Sequence, residues 1–356
     1  MTSTHPVVVI GGGQAGLAAA YQLGRRGVEA TVLDAASSVG ESWRRRWDSL
    51  RLFTPAVYSS LPGLAFPARA DHYPAKDEVA DYLATYAARF DLDVRHGITV
   101  TAVTTADGRF RIASPREDFE AGAVVIATGP FQTPTIPALA DGIDQSVVQL
   151  HSSDYRNPDQ LPDGAVLVVG GGNSGCQIAD ELVATGREVH LAVGQRYPVL
   201  PPRVAGRSLF HWLDRTGYLG IGADTRIGRR LQRRDTIIGT GPRHLRGRGV
   251  RVHGRLTGAT GDRVLFAGVT AARVDAVIWA TGFRLDHSFV QIPRVLDANG
   301  VLRHRAGHTD VPGLHAVGQP WQRNRGSALL GFVGTDAALI ADHIAARTSD
   351  RRPVTA

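Results

Sequence analysis

The stretch Val166–Leu182 reads VLVVGGGNSGCQIADEL, and the chain has already used that pattern at Val7–Leu23, as VVVIGGGQAGLAAAYQL. Each copy is an apolar run, a glycine turn and a helix-forming segment, followed by a second short apolar run, EATVLD in the first copy and REVHLAV in the second. β-Formers running into glycines and then into helical periodicity predict strand, turn, helix, strand, with parallel strands joined by a crossover helix. Two such units separated by more than a hundred residues are a duplicated fold, not a short-period repeat.

Gly11, Gly13 and Gly16 fit G-x-G-x-x-G between strand and helix. The first glycine permits the tight turn, the second lets the backbone approach a pyrophosphate, and the third lets helix and strand pack closely. Asp34 closes the next strand about twenty residues on, where a carboxylate accepts hydrogen bonds from ribose hydroxyls. Gly170, Gly172 and Gly175 repeat the pattern, but no acid ends the strand that follows. The chain continues with Gln195 and Arg196. An arginine there either pairs with a 2′-phosphate through its planar fork or is a plain surface residue. The first of these favours NADPH over NADH, with NADH as the alternative. Two unlike dinucleotide sites in one chain suit the passage of a hydride between two cofactors, with FAD and NADPH as the expected pair.

With 356 residues, 43% of them hydrophobic and 7% aromatic, the chain is expected to hold about two soluble globular domains. Neither a transmembrane run nor a signal peptide is evident, so the expected location is the cytoplasm. Cys176 is the single cysteine, which excludes an intrachain disulfide or a CxxC redox pair, and scattered histidines argue against a metal site. The net charge of +7 is carried almost wholly by arginine, with Lys76 the one lysine. Arginines crowd between residues 226 and 255, but no recognition motif accompanies them, so nucleic acid is not an expected partner.

Between the glycine turns, DEVADYLATYAARF predicts a helix, ITVTAVTTADGRFRIAS a hairpin and AVVIATG a buried strand; AVIWATGF predicts another strand late in the chain. The expected fold is α/β with two Rossmann-like dinucleotide-binding domains, the second inserted into the first. The FAD-binding domain is expected over 1–155 and 281–356, and the NAD(P)H-binding domain over 156–280.

These residues resemble the class B flavin-dependent monooxygenases of the flavin-containing monooxygenase type, along essentially the whole chain. VGESWRRRWDSLRLFTPAVYSSLPG looks like that family's flavin-proximal segment, and GLHAVGQPWQRNRGSALLGFVGTDA like its C-terminal flavin-contact segment. HSSDYRNP matches the second half of the fingerprint FxGxxxHxxx(Y/F)(K/R) through His151, Tyr155 and Arg156. Gln145 and Val147 stand where its first half has phenylalanine and glycine. Baeyer–Villiger enzymes of the better-known type resemble the chain less, because they carry tryptophan at the position of Tyr155. Gly40-Glu41-Ser42-Trp43 also departs from a glycine pair before tryptophan.

The resemblance implies FAD contacts from Gln14, Ala15, Gly40, Trp43, Arg44, Thr54 and Leu329 beside the glycines and Asp34. Val100 is either a backbone contact to adenine or an ordinary strand valine. For NADP it implies Asn173, Ser174, Thr281 and Gly282 beside Gln195 and Arg196. It gives His151 a structural role at the domain connector. It further implies chemistry centred on the flavin: NADPH reduces FAD, dioxygen adds at C4a, and one oxygen atom passes to a small thioether or amine, or to a ketone. No catalytic side chain is then expected. The partners would be a small organic substrate and dioxygen, with a homodimer left open. Two other readings remain at this stage: a flavin reductase or oxidase passing electrons to a quinone, a protein or oxygen, and a non-catalytic nicotinamide sensor.

Overall fold

The computed structural model describes residues 2–233, 236–268 and 270–350. Arg234 and Asp235 of the arginine-rich stretch, and the last six residues of the expected C-terminal part, lie outside the described residues.

Four apolar residues ahead of each glycine turn form a central strand, because a strand covered on both faces needs no polar alternation. In the first unit Thr2–Ile10 pairs in parallel with Ala30–Asp34 on one side and Asp118–Ile126 on the other. Asp93–His96 extends the sheet beyond Ala30–Asp34. The outer edge of Asp118–Ile126 is shared. Its first half pairs with the hairpin Ala102–Ala106/Arg109–Ala113, and its second half with Leu314–Ala316 from the far end of the chain. The helices Gln14–Gly24, Lys76–Arg89 and Val333–Asp350 cover one face of this sheet around Leu17, Leu83, Tyr86 and Ala337. The hairpin and the segment 290–302 cover the other around Ile112, Phe119 and Val290.

The second unit is a five-stranded parallel sheet in the order Arg251–His253, Val189–Ala192, Val166–Val169, Ala276–Trp279, Val148–His151. The helix Asn173–Ala184 packs on one face, and the antiparallel meander Leu256–Thr260, Arg263–Phe266, Thr270–Arg273 on the other. The expected boundary at residue 155 is therefore too late. Val148–His151 belongs to the second sheet, and Ile143 and Val147 already sit in that unit's core. A four-residue strand with one face half-buried carries little signal of its own; its place is fixed by pairing with Ala276–Trp279, far away in sequence.

The chain passes between the units twice, and the two passages lie side by side as a short antiparallel ribbon, Thr133–Pro134 with Phe283–Arg284. No helix among the described residues is long and apolar enough to cross a membrane.

Candidate active site

The two glycine turns are the same object built twice. Gly11 turns with φ 108°, and a Cβ there would stand 2.5 Å from the Ala127 carbonyl oxygen. Gly170 turns with φ 122° under Ala280, and a Cβ on it would overlap that residue's carbonyl. A Cβ on Gly16 would overlap the carbonyl of Gly11, and one on Gly175 the carbonyl of Gly170. By contrast, Gly13 and Gly172 face open space. Each is the residue before its helix, and neither helix is capped by a side chain there. Two helix N-termini thus present their first N–H groups to open space at the carboxyl ends of parallel strands, where dinucleotide phosphates bind.

The turns differ in what stands beside them. In the first, Asp34 accepts from the backbone N–H of Gly12 at 2.7 Å and of Ala36 at 2.9 Å, which holds a carboxylate at the lip of the turn. In the second, Val193 occupies that place, 3.0 Å from where a Gly171 Cβ would be. The spacing from Gly12 to Asp34, applied from Gly171, would have found Val193 from the sequence.

A cavity of about 1090 Å³ opens next to Gly171 and Val193. Arg196, Arg243, His244, Arg246 and His253 line it, and none of its lining residues is acidic. Arg196 lines this cavity, whereas Gln195 is exposed and outside the lining. Arg243, Arg246 and His253 were not anticipated; the dense arginines of that stretch were their only signal. A smaller hollow of about 510 Å³ around Gly164, Thr185 and Arg187 lies at the opposite, amino-terminal ends of the strands, away from both turns.

Other expected cofactor residues divide into two groups. Gln14 opens the first helix and accepts from the indole N–H of Trp43 at 3.4 Å. Trp43 packs against the cores of both units. Ala15 is buried under Gly318, where a Cβ would come within 2.5 Å of the Ala15 methyl. Gly318, within the expected C-terminal flavin-contact segment, therefore packs against the first turn, and the next residue, Gln319, is buried with its Oε1 unpartnered among the described residues. Gly40, at φ 83°, lies against the Ala80 carbonyl. Leu329 joins an apolar cluster with Phe53, Tyr58 and Phe332 of the first unit and Leu209 and Phe210 of the second.

The second group is engaged elsewhere. Arg44, expected as an FAD contact, pairs with Asp81 at 2.5 Å and with Asp77, because the helix Lys76–Arg89 turns both acids toward it. Thr54 is buried and hydrogen-bonded to Ser59 at 2.9 Å. Val100 is half-buried against the core of the first unit and lies outside any strand. Asn173 accepts from the Ile238 N–H at 2.9 Å and donates to the Thr236 carbonyl, clamping the helix start to that segment. Ser174 is half-buried beside it. Thr281 donates to the Thr135 carbonyl across the ribbon, and Gly282 accepts from Thr135.

At the connector, His151 Nδ1 accepts from the Ser153 N–H at 3.1 Å, so Nε2 carries the proton and donates to the Gly282 carbonyl at 3.1 Å. Burial holds its pKa below the usual imidazole value, which keeps the ring neutral and suited to this structural bond. Tyr155 is fully buried and donates to Glu181 at 2.8 Å; burial raises the Glu181 carboxyl above its ordinary range. Arg156 donates to the carbonyls of Ser153 and Tyr155, and its own carbonyl accepts from Asp48. Cys176 lies buried under the second turn with its thiol pushed up to about 12 by burial, a packing residue and not a nucleophile.

Residues 8–197 match the pyridine nucleotide-disulphide oxidoreductase family. An oxidoreductase named CzcO-like from Geobacillus kaustophilus is 42% identical over 95% of this chain and 97% of its own length. The indole-3-pyruvate monooxygenase YUCCA1 of Oryza sativa is 31% identical over 91% of this chain and 86% of its own. Among solved structures, the flavin-containing monooxygenase of Stenotrophomonas maltophilia superposes with a TM-score of 0.81 at 31% identity, covering 98% of this chain and 100% of its own. With a single, buried cysteine the chain has no dithiol for disulfide reduction. It belongs to the pyridine nucleotide-disulphide oxidoreductase family and, within it, to the class B flavin-dependent monooxygenases.

Proposed function

We propose that the protein is an NADPH-dependent FAD monooxygenase that passes one oxygen atom of O₂ to a small organic nucleophile, a thioether or amine. The observation that carries this reading is the pair of matched glycine turns with opposite neighbours, a carboxylate at Asp34 and an acid-free basic cavity at Arg196. Gly11–Gly16 and Asp34 would hold the adenosine half of FAD, the carboxylate suiting ribose hydroxyls. Gly170–Gly175 and Arg196 would hold NADPH, whose extra phosphate an acid would repel. FAD reduced by NADPH supplies the electrons that activate dioxygen.

The side chains of this chain bind, orient and exclude water. Trp43 places its ring between the two cores. The short helix Leu209–Arg215 of the second unit lays Phe210 against Phe53, Tyr58 and Phe332, closing an apolar wall over the first unit. Such a wall suits a small apolar molecule and keeps water from the reacting atoms. A neutral His151 bonded to Gly282 fixes the connector without taking part in proton transfer.

The test is a single turnover. Protein reduced by one equivalent of NADPH without air is mixed with ¹⁸O₂ and a dialkyl sulfide. A sulfoxide carrying one ¹⁸O, in yield near one per flavin, is expected; hydrogen peroxide with no labelled product would overturn the reading in favour of an oxidase. Arg196→Ala is expected to lower the preference for NADPH over NADH by about tenfold to a hundredfold, the worth of one charge-assisted hydrogen bond to phosphate. The ratio of kcat/KM for the two cofactors measures it, and an unchanged ratio would remove Arg196 from the site.

A further inference from the structure

The cavity beside the second turn has a proton-carrying back wall. Arg251–His253 is the edge strand of that sheet, and His253 at its end lines the cavity. Its ring lies flat on Phe266, 4.0 Å between centroids. Behind it, His253 Nε2 meets His190 Nδ1 at 2.9 Å, with ring planes within 9° and centroids 5.1 Å apart, the edge-to-edge geometry of an N–H···N bond. His190 is buried, and its Nε2 reaches Glu188 Oε1 at 3.0 Å.

The order of donors follows from the far end. An ionised Glu188 only accepts, so His190 Nε2 carries a proton. With that proton on Nε2, His190 accepts at Nδ1, and His253 Nε2 carries the next proton. That leaves His253 Nδ1 with a lone pair and no partner among the described residues.

We propose that His253 reads the 2′ position of the adenosine ribose of the nicotinamide cofactor, accepting from a 2′-hydroxyl when neutral and donating to a 2′-phosphate after taking up a proton. The proposal rests on the reading that this cavity holds NADPH. The chain of bonds to Glu188 is what lets a cation form there. A proton added at Nδ1 faces a carboxylate through two imidazoles, so the row as a whole becomes neutral. The other charged groups work against it. Arg251 pairs with Glu188 from the same strand, and Arg196, Arg243, Arg246 and His244 line the same cavity. With burial and Arg251 opposing it, the free imidazole stays neutral near pH 7, and a bound dianionic phosphate reverses that balance. Cofactor binding and proton uptake are then coupled, and the protein discriminates NADPH from NADH more sharply as pH falls.

The experiment is calorimetric titration of the flavin-loaded full chain with 2′,5′-ADP and with ADP, at pH 6 and pH 8, each in two buffers of different ionisation enthalpy. The comparison is between wild type and His253→Gln, so the titration of the phosphate itself cancels. Wild type is expected to take up more protons with 2′,5′-ADP than the variant does, and to lose about tenfold more affinity between pH 6 and pH 8. ADP should show neither difference. His190→Gln, which cuts the row behind an intact His253, should move the proton count the same way, and unchanged binding of ADP reports that the second unit of either variant is folded. Equal proton uptake and equal pH slopes in wild type and His253→Gln would overturn this proposal while leaving the cavity as a phosphate site. Failure of 2′,5′-ADP to bind wild type at all would instead overturn the assignment of the cavity to NADPH, and this proposal with it.

Discussion

Gly175→Ala is expected to leave the protein yellow but no longer reducible by NADPH, while Gly16→Ala is expected to strip it of flavin. Each methyl would occupy the place of a backbone carbonyl oxygen, that of Gly170 or of Gly11. No rotamer relieves this, because the obstacle is the turn itself. The helix must move off its strand, and its first N–H groups move with it. Overpacking of this kind costs about 3 kcal/mol, more than a hundredfold in a binding constant, and here it falls on the ligand-holding element. The two variants carry the same lesion in different units, so their readouts separate: bound flavin by absorbance at purification, and the KM for NADPH by steady-state kinetics. Loss of flavin in both would show that the second turn has no cofactor of its own.

The second large effect is acid lability. His315 is buried beside His308 and His343, whose rings stand 5.3 and 5.2 Å away, and Arg347 adds to the positive surroundings. Burial, then those neighbours, push its pKa down to about 3. His287 is fully buried and accepts from the Leu302 N–H at Nδ1; burial pushes it to about 4. Both native values lie below that of the unfolded chain, so below pH ~6.5 the unfolded chain binds protons the native one refuses. The stability these groups contribute is whole above that value and falls with pH until the native pKa is reached. The loss is about 1.4 kcal/mol per pH unit for each ring, or about 3 kcal/mol each by pH 4. The melting temperature should therefore drop steeply from pH 6.5 to pH 4. Among the described residues neither nitrogen of His315 has a hydrogen-bond partner, so His315→Leu removes the penalty without breaking a side-chain bond. A variant whose melting temperature falls with pH as steeply as that of wild type would refute the assignment.

What the sequence made legible is what chain neighbours enforce. The glycine turns, their helices and Asp34 are local: apolar runs, glycines where no Cβ fits, and a strand ending in an acid all lie within about thirty residues. The helix Lys76–Arg89 and the hairpin at 102–113 are legible for the same reason. The strand Val148–His151 is not, since only its pairing with Ala276–Trp279 makes it part of the second sheet. Arg44 shows the limit for a site. A guanidinium near a glycine turn looks like an anion donor in one dimension, and only the facing helix shows that Asp77 and Asp81 already hold it. The basic cavity was half-legible: Arg196 follows its strand directly, whereas Arg243, Arg246 and His253 reach the same hollow from an edge strand and the helix before it.

The ribbon of Thr133–Pro134 and Phe283–Arg284 has a consequence for how such a chain can change. Because the outgoing and returning segments pair directly, the second unit starts and finishes at one spot, with its ends about 5 Å apart. A unit attached that way is interchangeable. Cutting at the ribbon and joining the stumps with a short turn would leave the strand Asp118–Ile126 still able to receive Leu314–Ala316. A nucleotide unit of different cofactor preference could be grafted at the same two positions without disturbing the pairing of the host sheet. Recombination could therefore alter which reductant feeds the flavin while keeping the host sheet, provided the incoming unit supplies a counterpart of Phe210 to pack on Phe53, Tyr58 and Phe332.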